Sequence, residues 1–591
     1  MEKLFYIFWH YLYLAVFVIA AFGLGKPLTT GLALSARIPV LLLTPLRITA
    51  GMGIMIVLLT TFGMFGFFTA PTILTILGIG LGMVFIPRLI SSGKGSFSSE
   101  YLKSISDIPT STWWWLALTV VTGLPLLLSP LQPTMEWDEL MYHLPYARFW
   151  ADQGELAINE WLRYPLFAYN MDLLYGATLV VGDDVLTHLI HALTAALSAI
   201  MVFAVAREYL DWRVGLIAVI LLIRSTQWGW SNAYVDLGVM LFWTSAFATL
   251  ALRSHIQDSR LSYLAAFFAG IAVGVKYQGL FYLPIFFLLA LIIEKRLAIL
   301  IRAGTIFVII GGFWYLRSYI ISGDPVHPIG GHLFGFWLWN ADDLRGQHSD
   351  LDHVRGWRDW SFLPALAAPL FWPTLKPFLR GLLVVTALSV ALWFLVSGYW
   401  RYLSPIYPLL ALLSAWVIIK IWDSTGIGPF FEILLAKHQP KAATLFYVVM
   451  VVAALLFNSK NIIRAWNEIY PDPETRDLYL AERFPGHAMM KASPGIPTDA
   501  ILYHLGFEGE IYLLGKNIIG DWFGPGRYSD VLARWDDANS LSQHLKSMGA
   551  DYFLIHLDRK PFSSLVFASD FSRYFDLVNR SDKAALYQLR P

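Results

Sequence analysis

Residues 137–147 read Trp-Asp-Glu-Leu-Met-Tyr-His-Leu-Pro-Tyr-Ala and follow directly on a long apolar run. Two carboxylates and an imidazole placed where an apolar segment ends suit proton transfer at a membrane interface. Ionisable groups close to lipid are costly and tend to be kept for function. Asp138 and Tyr142 are four residues apart, as are Glu139 and His143, so on a helix each pair shares a face. The plainer reading is an interfacial amphipathic helix whose charges face water. Other ionisable residues also sit at the ends of apolar runs: Asp236 in Asn-Ala-Tyr-Val-Asp-Leu, Lys276 in Gly-Val-Lys-Tyr-Gln-Gly, Arg317 in Phe-Trp-Tyr-Leu-Arg-Ser, and Arg401-Tyr402 in Tyr-Trp-Arg-Tyr-Leu-Ser-Pro. Lys276, Arg317 and Arg401 have the charge to hold a phosphate or pyrophosphate, the arginines through their planar fork. Asp138 is placed to accept a proton from a hydroxyl or amine. Each cation also has the plain reading of snorkelling to the interface, and Asp236 that of an acid favoured at a helix N-terminus. His143 reads more readily as a hydrogen-bonding histidine than as a metal ligand. A hard divalent cation held by Asp138 and phosphate oxygens fits the chemistry, although no metal-specific spacing is present.

The elements that position these residues are apolar helices. Of the 591 residues, 57% are hydrophobic and 14% charged, and the mean hydropathy is +0.56. A soluble domain of this size could not bury so much apolar surface. About fourteen segments have the length and composition of membrane spans. They lie near 4–24, 46–67, 69–87, 113–131, 184–206, 213–229, 233–252, 261–275, 279–293, 298–316, 361–375, 381–397, 402–420 and 442–457. Pro364, Pro369 and Pro373 interrupt the segment at 361–375, which we expect to cross because the crossing keeps the basic loops on one side. Those loops carry Arg88, Lys94 and Lys103, then Arg207 and Arg213, Arg253 and Arg260, Lys295 and Arg296, Lys376 and Arg380, and Lys420, Lys437, His438 and Lys441. That side is expected to be cytoplasmic. The loops at 132–183 and 317–360 and everything after 458 then face outward. A formal net charge of +1 without a basic stripe argues against nucleic acid as a partner. The absence of cysteine excludes disulfides and thiolate chemistry. Residues 4–24 lack the basic flank and cleavage site of a signal peptide and read as a retained span.

Residues 459–591 are more polar. Ala500–His504, Glu510–Leu514, Tyr552–His556 and Ala584–Leu589 read as strands, and Ser540–Gly549 as a helix with a serine cap and a glycine stop. The expected architecture is a polytopic α-helical membrane protein with a small C-terminal α/β extracytoplasmic domain. It comprises three additional N-terminal helices with a loop (1–112), a central module (113–458) and the C-terminal domain (459–591).

A long first outer loop opening on an acidic pair, Tyr-Val-Asp-Leu (234–237), Gly-x-x-x-Gly-Val-Lys-Tyr (270–277), Trp-x-x-Arg followed by Gly-Asp-Pro and Pro (314–328), and Arg-Tyr-Leu-x-Pro (401–405) follow one another in this order. Over roughly residues 113–460 this succession resembles the GT-C superfamily of polyprenyl-phosphate-sugar-dependent glycosyltransferases, in the protein mannosyltransferase and aminoarabinose transferase branch. The resemblance implies sugar transfer, with inversion, from a lipid-phosphate donor to an extracytoplasmic protein, glycan or lipid acceptor, in a plasma (inner) membrane. It implies Asp138 as base and Glu139 as an acceptor- or metal-positioning group. Lys276, Arg317, Arg401 and Tyr402 are expected at the donor phosphate, and Tyr142, His143, Asp236 and Tyr277 around the substrate. Three spans precede the one leading into the catalytic loop, where the family usually has one. The alternatives are a transporter or lipid-linked-sugar flippase, which calls for repeats that this sequence lacks, and a non-catalytic envelope scaffold.

Overall fold

The computed structural model describes residues 1–32, 38–90, 110–425 and 440–591. The basic-loop residues Lys94, Lys103, Lys437 and His438 lie outside the described residues. Every apolar segment anticipated above is helical. Among the described residues, seven helices are individually long and apolar enough to cross a membrane: Glu2–Gly31, Val40–Met64, Val185–Tyr209, Asp236–Ile256, Pro377–Val396, Trp400–Ser424 and Val448–Asn467. An eighth candidate is the pair Leu297–Gly311 and Phe313–Ser322, bent by 57°. The remaining segments, such as Arg260–Val273 and Tyr277–Ile293, are shorter apolar helices.

Residues Trp360–Thr374 form a 3₁₀ helix that holds all three prolines. Proline lacks the N–H that an α-helix would need, whereas the 3₁₀ form rises about 2.0 Å per residue, so fifteen residues reach about 30 Å, the thickness of a bilayer core. Trp360 lines a cavity with Arg224 and Trp400, while Phe378, just past the other end, stacks on Tyr209 at 4.6 Å.

The C-terminal region forms a five-stranded sheet, order β2-β1-β3-β5-β4, from β1 (Leu502–Leu505), β2 (Ile518–Ile519), β3 (Tyr552–His556), β4 (Phe575–Arg580) and β5 (Ala584–Leu589). β1 pairs in parallel with β2 and β3, while β3–β5 and β4–β5 are antiparallel. The strand expected at 510–514 is instead a helical turn, Ile511–Leu514. A short continuous apolar run carries no periodicity to separate the two forms. The anticipated helix spans Ala538–Ser547, and its cap is Asp537, which accepts from the N–H groups of Asn539 and Ser540. Gly549, at φ +85°, ends it as expected.

Both faces of the sheet are covered. Tyr503, Leu505, Phe553 and Ile555 pack into the domain's own core, whereas Leu502, Leu554 and Leu586 join the core that continues into the membrane helices. Alternation along each strand explains this division. Charged pairs tie the domain to both long loops. Arg163 Nε donates to Asp521 at 2.9 Å, and Arg527 Nε donates to Asp343 at 3.0 Å. Gly509 sits flat against Trp137, where a Cβ would come within 2.7 Å of the indole. The 508–514 loop therefore rests on the segment that opens the 137–147 motif.

Glu510, in that loop, is buried and accepts from the His487 N–H at 3.1 Å. Burial raises its carboxyl from the ordinary value near 4.5 to about 7. The folded state therefore holds this proton more tightly than the unfolded chain. Its contribution to stability is greatest below about pH 4.5, falls as pH rises towards 7, and is level above that. Glu510→Gln removes the penalty. Thermal unfolding should show the variant matching the native chain at pH 4.5 and exceeding it by up to about 3 kcal/mol at pH 8. Equal stability of the two chains at pH 8 would contradict the burial argument.

Candidate active site

The 137–147 motif does not continue as a regular α-helix. Residues Glu139–His143 form a π-helical turn, closed by the Leu144 N–H onto the Glu139 carbonyl. The wider turn changes which side chains share a face, and such turns recur at functional sites. Asp138, just before this turn, and Glu139, its first residue, meet different partners.

Asp138 is partly buried and meets Arg401, whose guanidinium donates to Oδ2 at 2.5 Å. Burial by itself would raise the Asp138 carboxyl, but the charges of Arg401 and Lys276 overcome it and hold the group down to about 2. Arg401 is also 3.9 Å from Asp236 Oδ2, and Lys276 Nζ is 3.6 Å from the same oxygen. The four groups form a chain, Asp138–Arg401–Asp236–Lys276, with two charges of each sign. Tyr rings line it. Arg401 lies 4.4 Å over Tyr234 and 5.1 Å over Tyr399, and Lys276 lies 5.2 Å over Tyr402. Arg401 Nε donates to the Tyr399 hydroxyl at 2.6 Å. Several buried polar atoms here have no hydrogen-bond partner: both Asp236 oxygens, Arg401 Nη1, both polar atoms of Gln278 and Ser404 Oγ. Buried polar groups are normally paired, so the concentration of open bonding capacity marks a place built for a polar ligand.

The local backbone explains the placement. Gly274 ends the helix Arg260–Val273, and Asn170 packs against it so closely that a Cβ would come within 2.2 Å of its Nδ2. Asn170 donates to the Ile271 carbonyl and accepts from the Trp314 indole. Lys276 follows in extended conformation before a 3₁₀ turn. Asp236 opens the helix Asp236–Ile256, and Arg401 lies in a 3₁₀ turn at the start of the span Trp400–Ser424.

The remaining anticipated residues divide. Glu139 is fully buried and its carboxylate is saturated. Oε1 accepts from the N–H groups of Met135 and Glu136 at 2.7 and 2.8 Å, and Oε2 from the Ala233 N–H at 2.6 Å. His188 Nε2 lies 3.0 Å from Oε2. Glu139 thus joins the start of the first long loop to the Asn232–Asp236 segment. His143 Nδ1 lies 2.7 Å from Asp172, and both are buried. Burial raises the Asp172 carboxyl, and His143 counters part of that effect. Tyr142 packs edge-on against Tyr164 at 4.9 Å. Tyr277 is turned away from Lys276 and donates to the carbonyls of Leu166 and His327. Arg317 does not join the cluster either. It donates to the Leu156 carbonyl at 2.6 Å and lies 5.5 Å over Trp314. Tyr234, Tyr399 and Gln278 were not singled out from the sequence, although each lies within a motif quoted above. Among the described residues, no group of three or more His, Asp or Glu side chains is arranged to hold a metal ion.

A family model described as SF2091/S2213 matches residues 475–588. Two Shigella flexneri proteins are similar to the chain. Uncharacterized protein SF2093/S2215 is 32% identical over 155 residues, covering 24% of this chain and 74% of that protein. Uncharacterized protein SF2092/S2214 is 36% identical over 132 residues, covering 20% of this chain and 72% of that protein.

The chain belongs to the family of these Shigella flexneri proteins.

Among solved structures, ArnT from Cupriavidus metallidurans, bound to undecaprenyl phosphate, superposes with a TM-score of 0.52 at 13% identity, over 81% of this chain and 98% of ArnT. The chain thus shares the fold of that structure.

Its Glu139 provides a test of the joining role. Glu139→Ala leaves hydrogen-bonding groups from three segments without their partner, and those of Ala233 and His188 are buried. Thermal unfolding in detergent should show a loss of about 3 kcal/mol or more. Stability indistinguishable from the native chain would remove Glu139 from this role.

Proposed function

We propose that the protein is a membrane glycosyltransferase that takes a sugar from a polyprenyl-phosphate-linked donor and passes it to an acceptor on the extracytoplasmic face. The observation that carries this reading is the chain Asp138–Arg401–Asp236–Lys276, in which a carboxylate suited to proton transfer shares its guanidinium with a polar site that has bonding capacity to spare. The position of the charges at one end of the bundle, under a folded domain, supports surface chemistry over translocation.

A carboxyl held at about 2 is a poor base near neutral pH. The donor phosphate changes that. As its oxygens engage Arg401 and Lys276, the guanidinium turns from Asp138 to the phosphate, and the carboxylate regains proton affinity. Asp138 then takes the proton from an acceptor hydroxyl, and the hydroxyl oxygen forms its bond to the anomeric carbon as the bond from that carbon to the phosphate oxygen breaks. Attack from the face opposite the phosphate inverts the centre. The leaving polyprenyl phosphate keeps the bonding electron pair, stabilised by the two cations. Asp236 retains both cations at the site while no donor is bound.

Asp138→Asn should lower transfer by about 10²–10⁴-fold, measured with a radiolabelled polyprenyl-phosphate sugar. Binding of polyprenyl phosphate by the same variant should be unchanged or tighter, because Arg401 is released. Arg401→Ala should weaken that binding. Near-native turnover of Asp138→Asn would refute the assignment of the base.

A further inference from the structure

Arg317 occupies a separate crevice of about 360 Å³, lined by Gly63 and Met64, by Glu155, Leu156 and Ala157, and by Phe313, Leu316, Arg317, Ile320 and Ile321. Its walls come from three parts of the chain. The turn after Val40–Met64 belongs to the additional N-terminal helices, and it is bonded to the first long loop. The Leu156 N–H donates to the Gly63 carbonyl at 3.0 Å, and the Phe68 N–H to the Gly154 carbonyl at 2.7 Å. Gly63 is needed here, since a Cβ would come within 2.8 Å of Leu156. The third wall is the helix Phe313–Ser322 of the bent pair.

The charge in this crevice has no counter-charge. Among the described residues no carboxylate lies within 4.0 Å of the Arg317 guanidinium. Glu155, the acid among the lining residues, is exposed at the rim. One terminal nitrogen is satisfied by the Leu156 carbonyl, and the other, Nη1, is buried without a partner. A guanidinium withdrawn from water without an anion is costly. The rim beside it is apolar and open: Ile320 is 72% exposed, Leu316 59% and Met64 56%. Such a surface at the end of a spanning helix meets acyl chains rather than water.

We propose that this crevice is a binding site for an anionic phospholipid, with the headgroup phosphate paired to Arg317 and the acyl chains lying over Leu316, Ile320 and Met64. A basic pocket between membrane helices has the form that phosphate headgroups recognise. The additional N-terminal helices thereby contribute a wall to a lipid site as well as packing. This inference stands independently of sugar transfer.

The full chain in detergent is tested by native mass spectrometry with dioctanoyl phosphatidylglycerol, dioctanoylglycerol and inorganic phosphate. The native chain should retain the phosphatidylglycerol roughly ten-fold more tightly than the uncharged diacylglycerol. Arg317→Ala should lose that preference and Arg317→Lys should keep part of it. Ile320→Trp fills the crevice without removing the charge and should weaken phosphatidylglycerol binding, so the proposal is testable even if Arg317→Ala does not fold. Equal retention of the charged and uncharged lipids, an unchanged preference in Arg317→Ala, or equal binding of inorganic phosphate alone would each overturn it.

Discussion

The site turns on a single guanidinium. Arg401 is held between two carboxylates, Asp138 at 2.5 Å and Asp236 at 3.9 Å, and it is the only group that reaches both within ion-pair distance among the described residues. Two buried cations without Asp236 would repel each other, and Asp138 without Arg401 would be a buried acid with no close partner. The arrangement is balanced in charge and incomplete in hydrogen bonds. That combination favours an incoming anion that can replace a carboxylate as the partner of Arg401.

Much of the surrounding fold holds these groups in register. Glu139 binds the start of the first long loop to the turn before Asp236 through N–H groups of both. Asn170 binds the first long loop to the end of the helix that precedes Lys276. The C-terminal domain rests on Trp137 through Gly509 and is pinned by Arg163–Asp521 and Arg527–Asp343. Because one face of its sheet shares the core of the membrane helices, the domain is part of the support for the site.

The helical membrane architecture was legible because apolar runs of span length have few alternatives. The cluster was legible for a related reason: Asp138, Asp236, Lys276 and Arg401 are sparse charges at the ends of apolar runs. The same signal misplaced Arg317. The end of a span fixes depth, whereas the face of the helix decides which neighbour is met, and Arg317 faces the first loop and the N-terminal helices. Tyr277 shows the local version of this effect, since extended Lys276 followed by a 3₁₀ turn sends adjacent side chains apart. Glu139 was expected, from the resemblance, as an acceptor- or metal-positioning group, whereas its carboxylate is taken up by the N–H groups of Met135, Glu136 and Ala233 and by His188, partners that sequence spacing does not reveal. The sheet was only partly readable, as β2 has two residues and Ile511–Leu514 is too short and too uniformly apolar to show a period.

The most direct measurement is a density map of the full chain with polyprenyl phosphate bound. The account predicts phosphate oxygens in contact with Arg401 and Lys276, and the Asp138–Arg401 contact opened so that the carboxylate faces the bound lipid's phosphate ester. A phosphate bound elsewhere, with Asp138 and Arg401 still paired, would contradict it.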